Sequence, residues 1–157
     1  MEQFSVPGAQ IHVQIHMLDP DLPRPEYAVD GDAGMDLRAR FSVELSPRGG
    51  RALVAVGFAL AIPPGWAGLV LPRSGFAVRH GVTLVNSPGL IDSGYRGEIM
   101  VPLLNTDPNE SFVIARGDRI AQLVVIAVHG IIWDSVDHHD QLGATERGAG
   151  GFGHSGR

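Results

Sequence analysis

The chain has 157 residues, 44% of them hydrophobic and 18% charged, with 12 basic against 17 acidic side chains and a formal net charge of -5. A chain of this size buries about 69% of its unfolded surface, enough for one domain with a real core. The absence of cysteine excludes disulfide scaffolds, thiol nucleophiles, thiolate zinc sites and iron–sulfur clusters. The acidic balance disfavours broad duplex nucleic-acid binding, which needs an excess of cations to displace counterions. Every basic residue is arginine, so a localised anion site would be built from planar, bidentate donors.

No apolar run approaches the ~20 residues of a membrane span. The start, MEQFSVPGAQ, lacks the basic, apolar and small-residue segments of a secretion signal. The expectation is a cytoplasmic protein with neither a membrane nor a nucleic-acid partner.

Along the chain, short apolar or alternating runs recur: Ile11 to Leu18, Leu37 to Leu45, Ala52 to Ile62, Ala67 to Leu71, Val82 to Val85, Ile99 to Asn105, Ser111 to Ala115 and Ile120 to Val136. Turn signals separate them, among them Asp19-Pro20, Ser46-Pro47, Pro63-Pro64-Gly65 and Asp107-Pro108-Asn109. Strands at this spacing suggest an antiparallel sandwich or barrel. In IHVQIHM the alternation turns Ile11, Val13, Ile15 and Met17 inward and leaves His12, Gln14 and His16 to water. Only Ser74 to His80 has the makings of a turn or two of helix. The expected fold is all-β.

Four segments carry candidate chemistry. Asp30-Gly31-Asp32-Ala33-Gly34-Met35-Asp36 sets three carboxylates in seven residues, either a site for a hard cation or an acidic turn. Pro72-Arg73-Ser74-Gly75 combines a guanidinium, a hydroxyl and free amides at a helix start, either a phosphate nest or a corner capped by Ser74. In Asn86 to Gly97, Leu90 and Ile91 are expected to keep water from Asp92, which suits a general base, although Asp before Ser-Gly also caps turns. Tyr95 in that loop is either a site residue or a core ring. Arg116 to Gln122 joins a tight turn to a strand whose Gln122 amide faces a ligand or merely the surface. The pair His138-His139 reads as exposed loop, since neighbours on an extended chain point oppositely. The end, RGAGGFGHSGR, has five glycines in eleven residues, the composition of a loose tail or of a lid over an anion.

Taken in order, DAGMDL (Asp32 to Leu37), PRSG (Pro72 to Gly75), NSPGLIDSGYRGEI (Asn86 to Ile99), RGDRIAQLV (Arg116 to Val124) and RGAGGFGHSG (Arg147 to Gly156) resemble the five motifs of the trimeric dUTPases. The resemblance covers the chain from residue 10 onward. It implies a jelly-roll-like β-barrel over 10–140, a C-terminal arm over 141–157 and an N-terminal extension over 1–9. It further implies a homotrimer whose active sites are shared between subunits, acting on dUTP with Mg2+ to give dUMP and pyrophosphate, which keeps uracil out of DNA and supplies dUMP for thymidylate synthesis.

Carried over by position, Asp92 is the catalytic base that activates water for attack on the α-phosphorus. Arg73, Ser74, Gly75 and Gln122 take the phosphates, and Asp36 reaches Mg2+ through water. Asn86, the backbone of Gly89, Leu90 and Ile91, and that of Met100 read uracil. Tyr95 lies against the deoxyribose and excludes UTP. Phe152 of the arm stacks on uracil, while Arg147, Gly153, Ser155 and Gly156 complete closure over the substrate. Two rivals are a dCTP deaminase on the same fold, which patterns differently around Asp92, and a non-catalytic nucleotide-binding module, against which the retained Asp92 and complete tail argue.

Overall fold

The computed structural model describes residues 10–150. In chain order they form β1 (Gln14–Met17), β2 (Met35–Arg38), β3 (Val43–Leu45), β4 (Arg51–Ala61), β5 (Trp66–Pro72), α1 (Ser74–His80), β6 (Val82–Leu84), β7 (Gly89–Ile91), β8 (Glu98–Asn105), β9 (Phe112–Ile114) and β10 (Arg119–Ala127). A 3-10 turn, His139–Leu142, follows. The order β1-β4-β8-β6 makes one sheet, β2-β10-β5-β7 a second and β3-β9 a short third, with every pairing antiparallel. This is the expected all-β, jelly-roll-like barrel.

Alternation builds the core. Along β8 buried and half-buried residues alternate without a break, sending Ile99, Val101 and Leu103 inward against Leu37, Leu45, Ile62, Ile114, Ile120 and Leu123, all essentially without exposure. In β1 the inward Ile15 and Met17 are half-buried and Gln14 and His16 exposed, as the alternation requires. The helix α1 forms as expected and ends at Gly81, whose left-handed backbone (φ 62°) returns its amide to the Ala77 carbonyl.

Three segments depart from the sequence reading. The run Leu37 to Leu45 is two strands, because the chain leaves β10 after Arg38 and crosses to β9, with the Ala39 amide on Asp118 and the Arg40 amide on Ala55 on the way. The run Ile120 to Val136 stops at Ala127. Its partner β5 begins at Trp66, opposite Ala127, and the pairing ends with one further bond, from the Val128 amide to the Gly65 carbonyl. Ile131, Ile132 and Trp133 consequently stand in the open, 69%, 91% and 82% exposed. Strand β7 lies inside what reads as loop, since three residues starting at glycine carry almost no periodic signal.

The inward face of β8 ends on a polar residue. Asn105 is completely buried. Its amide donates to the Leu45 and Glu110 carbonyls at 3.1 and 2.9 Å, and its oxygen accepts the Asp107 N–H at 2.9 Å, so one side chain joins β8, β3 and the turn before β9. Replacing it with leucine strands those groups away from water. Asn105→Leu is expected to lose about 2–4 kcal/mol in urea melts; a loss below about 1 kcal/mol contradicts the role given to this residue.

Candidate active site

Strand β2 and strand β5 flank β10, which brings three of the motifs together. Gln122 of β10 lies opposite Asp36 of β2 on one side and Leu71 of β5 on the other. The result is a cleft of about 370 Å3 whose walls include Asp32, Gly34, Asp36, Arg73, Ser74, Gly75, Arg119 and Gln122. Asp36 organises it: one carboxylate oxygen meets Arg73 Nε at 3.0 Å and the other Arg119 Nη1 at 3.1 Å. Two guanidiniums are thereby held on one anion at the cleft wall, with the Asp32 carboxylate balancing the remaining charge. The Gln122 amide donates to the Pro72 carbonyl at 3.2 Å. Gly34 has no room for a side chain without pressing on Gln122, since a Cβ would come within 3.2 Å of its amide oxygen.

The corner after β5 is not capped by Ser74. Arg73 occupies the N-cap position and no side chain caps the helix. The first helical bonds come from the Phe76 and Ala77 amides to the Arg73 carbonyl, so the Ser74 and Gly75 amides precede the ladder and are available to an anion. Of the acidic segment, Asp32 does close a turn, accepting the Val29 amide at 3.0 Å, while Asp36 belongs to the cleft. Asp118 likewise closes its turn through the Ala115 amide at 2.8 Å.

The loop Asn86 to Gly97 assembles elsewhere. The β6–β8 ladder continues through the Val85 amide to the Pro102 carbonyl, which carries Asn86 and Ser87 alongside Val101 and Met100. The Ser87–Pro88 peptide is cis. Asn86 then folds over β7, and the fit at residue 89 is tight: a Cβ there would meet Asn86 Nδ2 at 3.2 Å and Val70 Cβ at 3.3 Å, so both would have to give way. Asn86 thus lies against Gly89, the first residue of β7, while Met100 belongs to β8. Tyr95 is 44% exposed and not a core ring; its hydroxyl donates to the Glu98 carbonyl at 2.8 Å.

Asp92 differs from its expectation in one respect. It is exposed, because alternation along β7 buries Ile91 and turns Leu90 outward, 65% exposed; these neighbours do not shield it within one chain. Nor does its carboxylate cap the turn, which is closed by the Tyr95 amide on the Asp92 carbonyl. The two halves of the site also lie apart. Gly68 pairs with Ile91 and Val70 with Gly89, so Asp92 stands level with Ala67, while Arg73 follows six residues along β5, roughly 20 Å away.

Arg147 closes a turn of its own, with Nε on the Gly150 carbonyl at 2.7 Å. Phe152, Gly153, Ser155 and Gly156 lie outside the described residues. His138 and His139 belong to an exposed turn, where the Gln141 side chain accepts the Asp137 and His138 amides.

The dUTPase family model matches residues 21–156. The chain belongs to the dUTPase family. It is 54% identical over 146 residues, 93% of this chain and 79% of the relative, to the deoxyuridine 5'-triphosphate nucleotidohydrolase of Thermobifida fusca. It is 55% identical over 141 residues, 88% and 91% of the two chains, to the enzyme of the same name from Mycobacterium tuberculosis. A solved Staphylococcus bacteriophage 80alpha dUTPase with dUpNHpp superposes with a TM-score of 0.84 at 28% identity, over 94% of this chain and all of that one.

Sequence reasoning missed the polar bracing beneath the dUTPase motifs. Arg116 of the RGDRIAQLV motif grips Asp19 with both terminal nitrogens, Nη2 to Oδ1 at 3.0 Å. That hydrogen bonding, more than the neighbouring charges, holds the Asp19 carboxyl below its ordinary range against the opposing effect of burial. Because the native value is depressed, the stabilisation is complete above the unfolded value of about 3.9 and is lost as pH falls through the native one. Urea midpoints of wild type and Asp19→Asn are expected to differ most near neutral pH and to draw together as pH falls below about 3.9. A gap that stays constant with pH would contradict this assignment.

Proposed function

We propose that this chain hydrolyses dUTP to dUMP and pyrophosphate, with the site residues in the roles their motifs suggest. Family membership carries the reaction, and the cleft around Asp36 supports the way it is performed: Arg73, Ser74, Gly75 and Gln122 offer a cation, a hydroxyl, amides and a side-chain amide to a triphosphate. Phosphoryl transfer asks mainly for positioning and charge neutralisation. Asn86 and the backbone at Gly89, Leu90, Ile91 and Met100 face the uracil edge, and Tyr95 lies against the deoxyribose. Asp92 takes a proton from water as its oxygen attacks the α-phosphorus in line; the bond to the bridging oxygen breaks and pyrophosphate leaves. An exposed carboxylate with no hydrogen bond from the described residues is free to receive that water.

Among the described residues no group of three or more His, Asp or Glu could hold a metal by itself. Asp36, whose carboxylate stands at the cleft paired to Arg73 and Arg119, nonetheless fits a role in reaching, through water, an Mg2+ carried by triphosphate oxygens. Bound in that way, the ion supplies further neutralisation of phosphate charge.

The separation of roughly 20 Å along β5 between the levels of Asp92 and Arg73 supports a site completed by other copies of the chain, a homotrimer in which one subunit brings the uridine-reading loop and the next the phosphate cleft. Exposed Ile132 and Trp133 favour the same reading, since apolar groups on a segment leaving the barrel need a cover. Arg147, Phe152, Gly153, Ser155 and Gly156 then close the site from the arm. No helix among the described residues is long and apolar enough to cross a membrane, and we place the enzyme in the cytoplasm.

The deciding assay follows pyrophosphate release with Mg2+ from dUTP, dTTP, dCTP and UTP, and ammonia from dCTP. Release from dUTP alone is expected, and Asp92→Asn should bind dUTP while turning over at least about a hundredfold more slowly. Ammonia from dCTP, or silence on all four nucleotides, would overturn the proposal.

A further inference from the structure

The hydroxyl of Tyr95 rests on the main chain of Glu98, and its ring lies so close over Gly97 that a Cβ there would stand 2.5 Å from the phenolic oxygen. The ring's position is therefore set by where the first residue of β8 is held. Its main chain is paired with Ala59 of β4, and three bonds hold its side chain: Arg40 Nη1 donates to both Glu98 carboxylate oxygens at 3.2 and 3.1 Å, and the Gly57 amide donates to one of them at 2.8 Å. Gly57 sits at φ 82° in the irregular stretch of β4, where a Cβ would come within 3.0 Å of Asp19 and Leu22.

Arg40 is itself fixed. Its second terminal nitrogen donates to the Leu18 carbonyl at 3.2 Å, its Nε is buried 3.5 Å from the Asp19 carboxylate, and its carbonyl accepts Arg116 Nη1 at 2.7 Å. Arg40 belongs to none of the five motifs and makes its contacts beneath the nucleotide loop. We propose that Arg40, acting through Glu98, is a positioning residue that fixes the Tyr95 ring and thereby sets the preference for deoxyribose over ribose. The inference rests on the reading that places Tyr95 against the sugar. A ring anchored at its hydroxyl cannot swing aside for a 2'-hydroxyl; a ring on a loosened β8 can.

The test measures kcat and KM for dUTP and UTP on the full chain carrying Arg40→Met, Arg40→Lys, Glu98→Gln or Tyr95→Phe, with thermal melts alongside. Arg40→Met and Glu98→Gln are each expected to lower the dUTP-over-UTP preference about tenfold, chiefly through KM for UTP, with kcat on dUTP within about threefold of wild type. Arg40→Lys should recover most of the preference. Adding Tyr95→Phe to Arg40→Met should cost no further preference, since both act on one hydrogen bond. Equal losses on both nucleotides, or an unchanged preference in Arg40→Met and Glu98→Gln while Tyr95→Phe alters it, would overturn the clamp and leave the sugar reading standing. An unchanged preference in Tyr95→Phe and Tyr95→Ala as well would overturn both. Should Arg40→Met not fold, Glu98→Gln decides, because it keeps an acceptor for the Gly57 amide.

Discussion

Antiparallel pairing on the two edges of β5 is the constraint from which the rest follows. On one edge β10 aligns Gln122 with Leu71 and delivers β2 with Asp36; on the other, β7 aligns Gly89 with Val70. Because β7 runs opposite to β5, Asp92 is directed to the start of that strand while Arg73 and Ser74 follow its end. No side-chain rotation closes a gap of that size. The catalytic arrangement proposed for the chain is thus a matter of backbone register before it is one of side-chain chemistry.

A second theme is the use of buried or half-buried polar groups to fix loops that the apolar core does not reach. Asn105 ties the end of β8 to β3, Arg116 ties the RGDRIAQLV turn to Asp19, and Arg40 ties the start of β8 to β4 and Asp19. Hydrophobic burial is nearly indifferent to small displacements, whereas a charge-assisted hydrogen bond in a poorly solvated place is not. The barrel supplies stability and these contacts supply position. In the cleft the same device serves binding, since Asp36 holds Arg73 and Arg119 where an anion would meet them.

Much of the barrel was legible because one face of each long strand is buried: IHVQIHM and the β8 run alternate plainly. The misreadings have separate physical causes. Strand β7 is too short to show a period, the run from Leu37 changes partner in mid-course, and the apolar run after Ala127 has no facing strand among the described residues. The motif residues were recognisable by their order, yet the ion pairs of Asp36 join it to residues 37 and 83 positions away, which no local pattern reports. The exposure of Asp92 was equally hidden, since it depends on the outward turn of Leu90 in a strand too short to show a period.

The claim that each chain carries two separated halves of a site is tested most directly by mixing two inactive variants, Asp92→Asn and Arg73→Ala, unfolding them together and refolding them as one population. If a working site joins Asp92 of one subunit to Arg73 of another, random assembly restores about a quarter of wild-type dUTP turnover. A mixture as inactive as its components, with assembly confirmed by sedimentation, would contradict the account and place both residues of each site in a single chain.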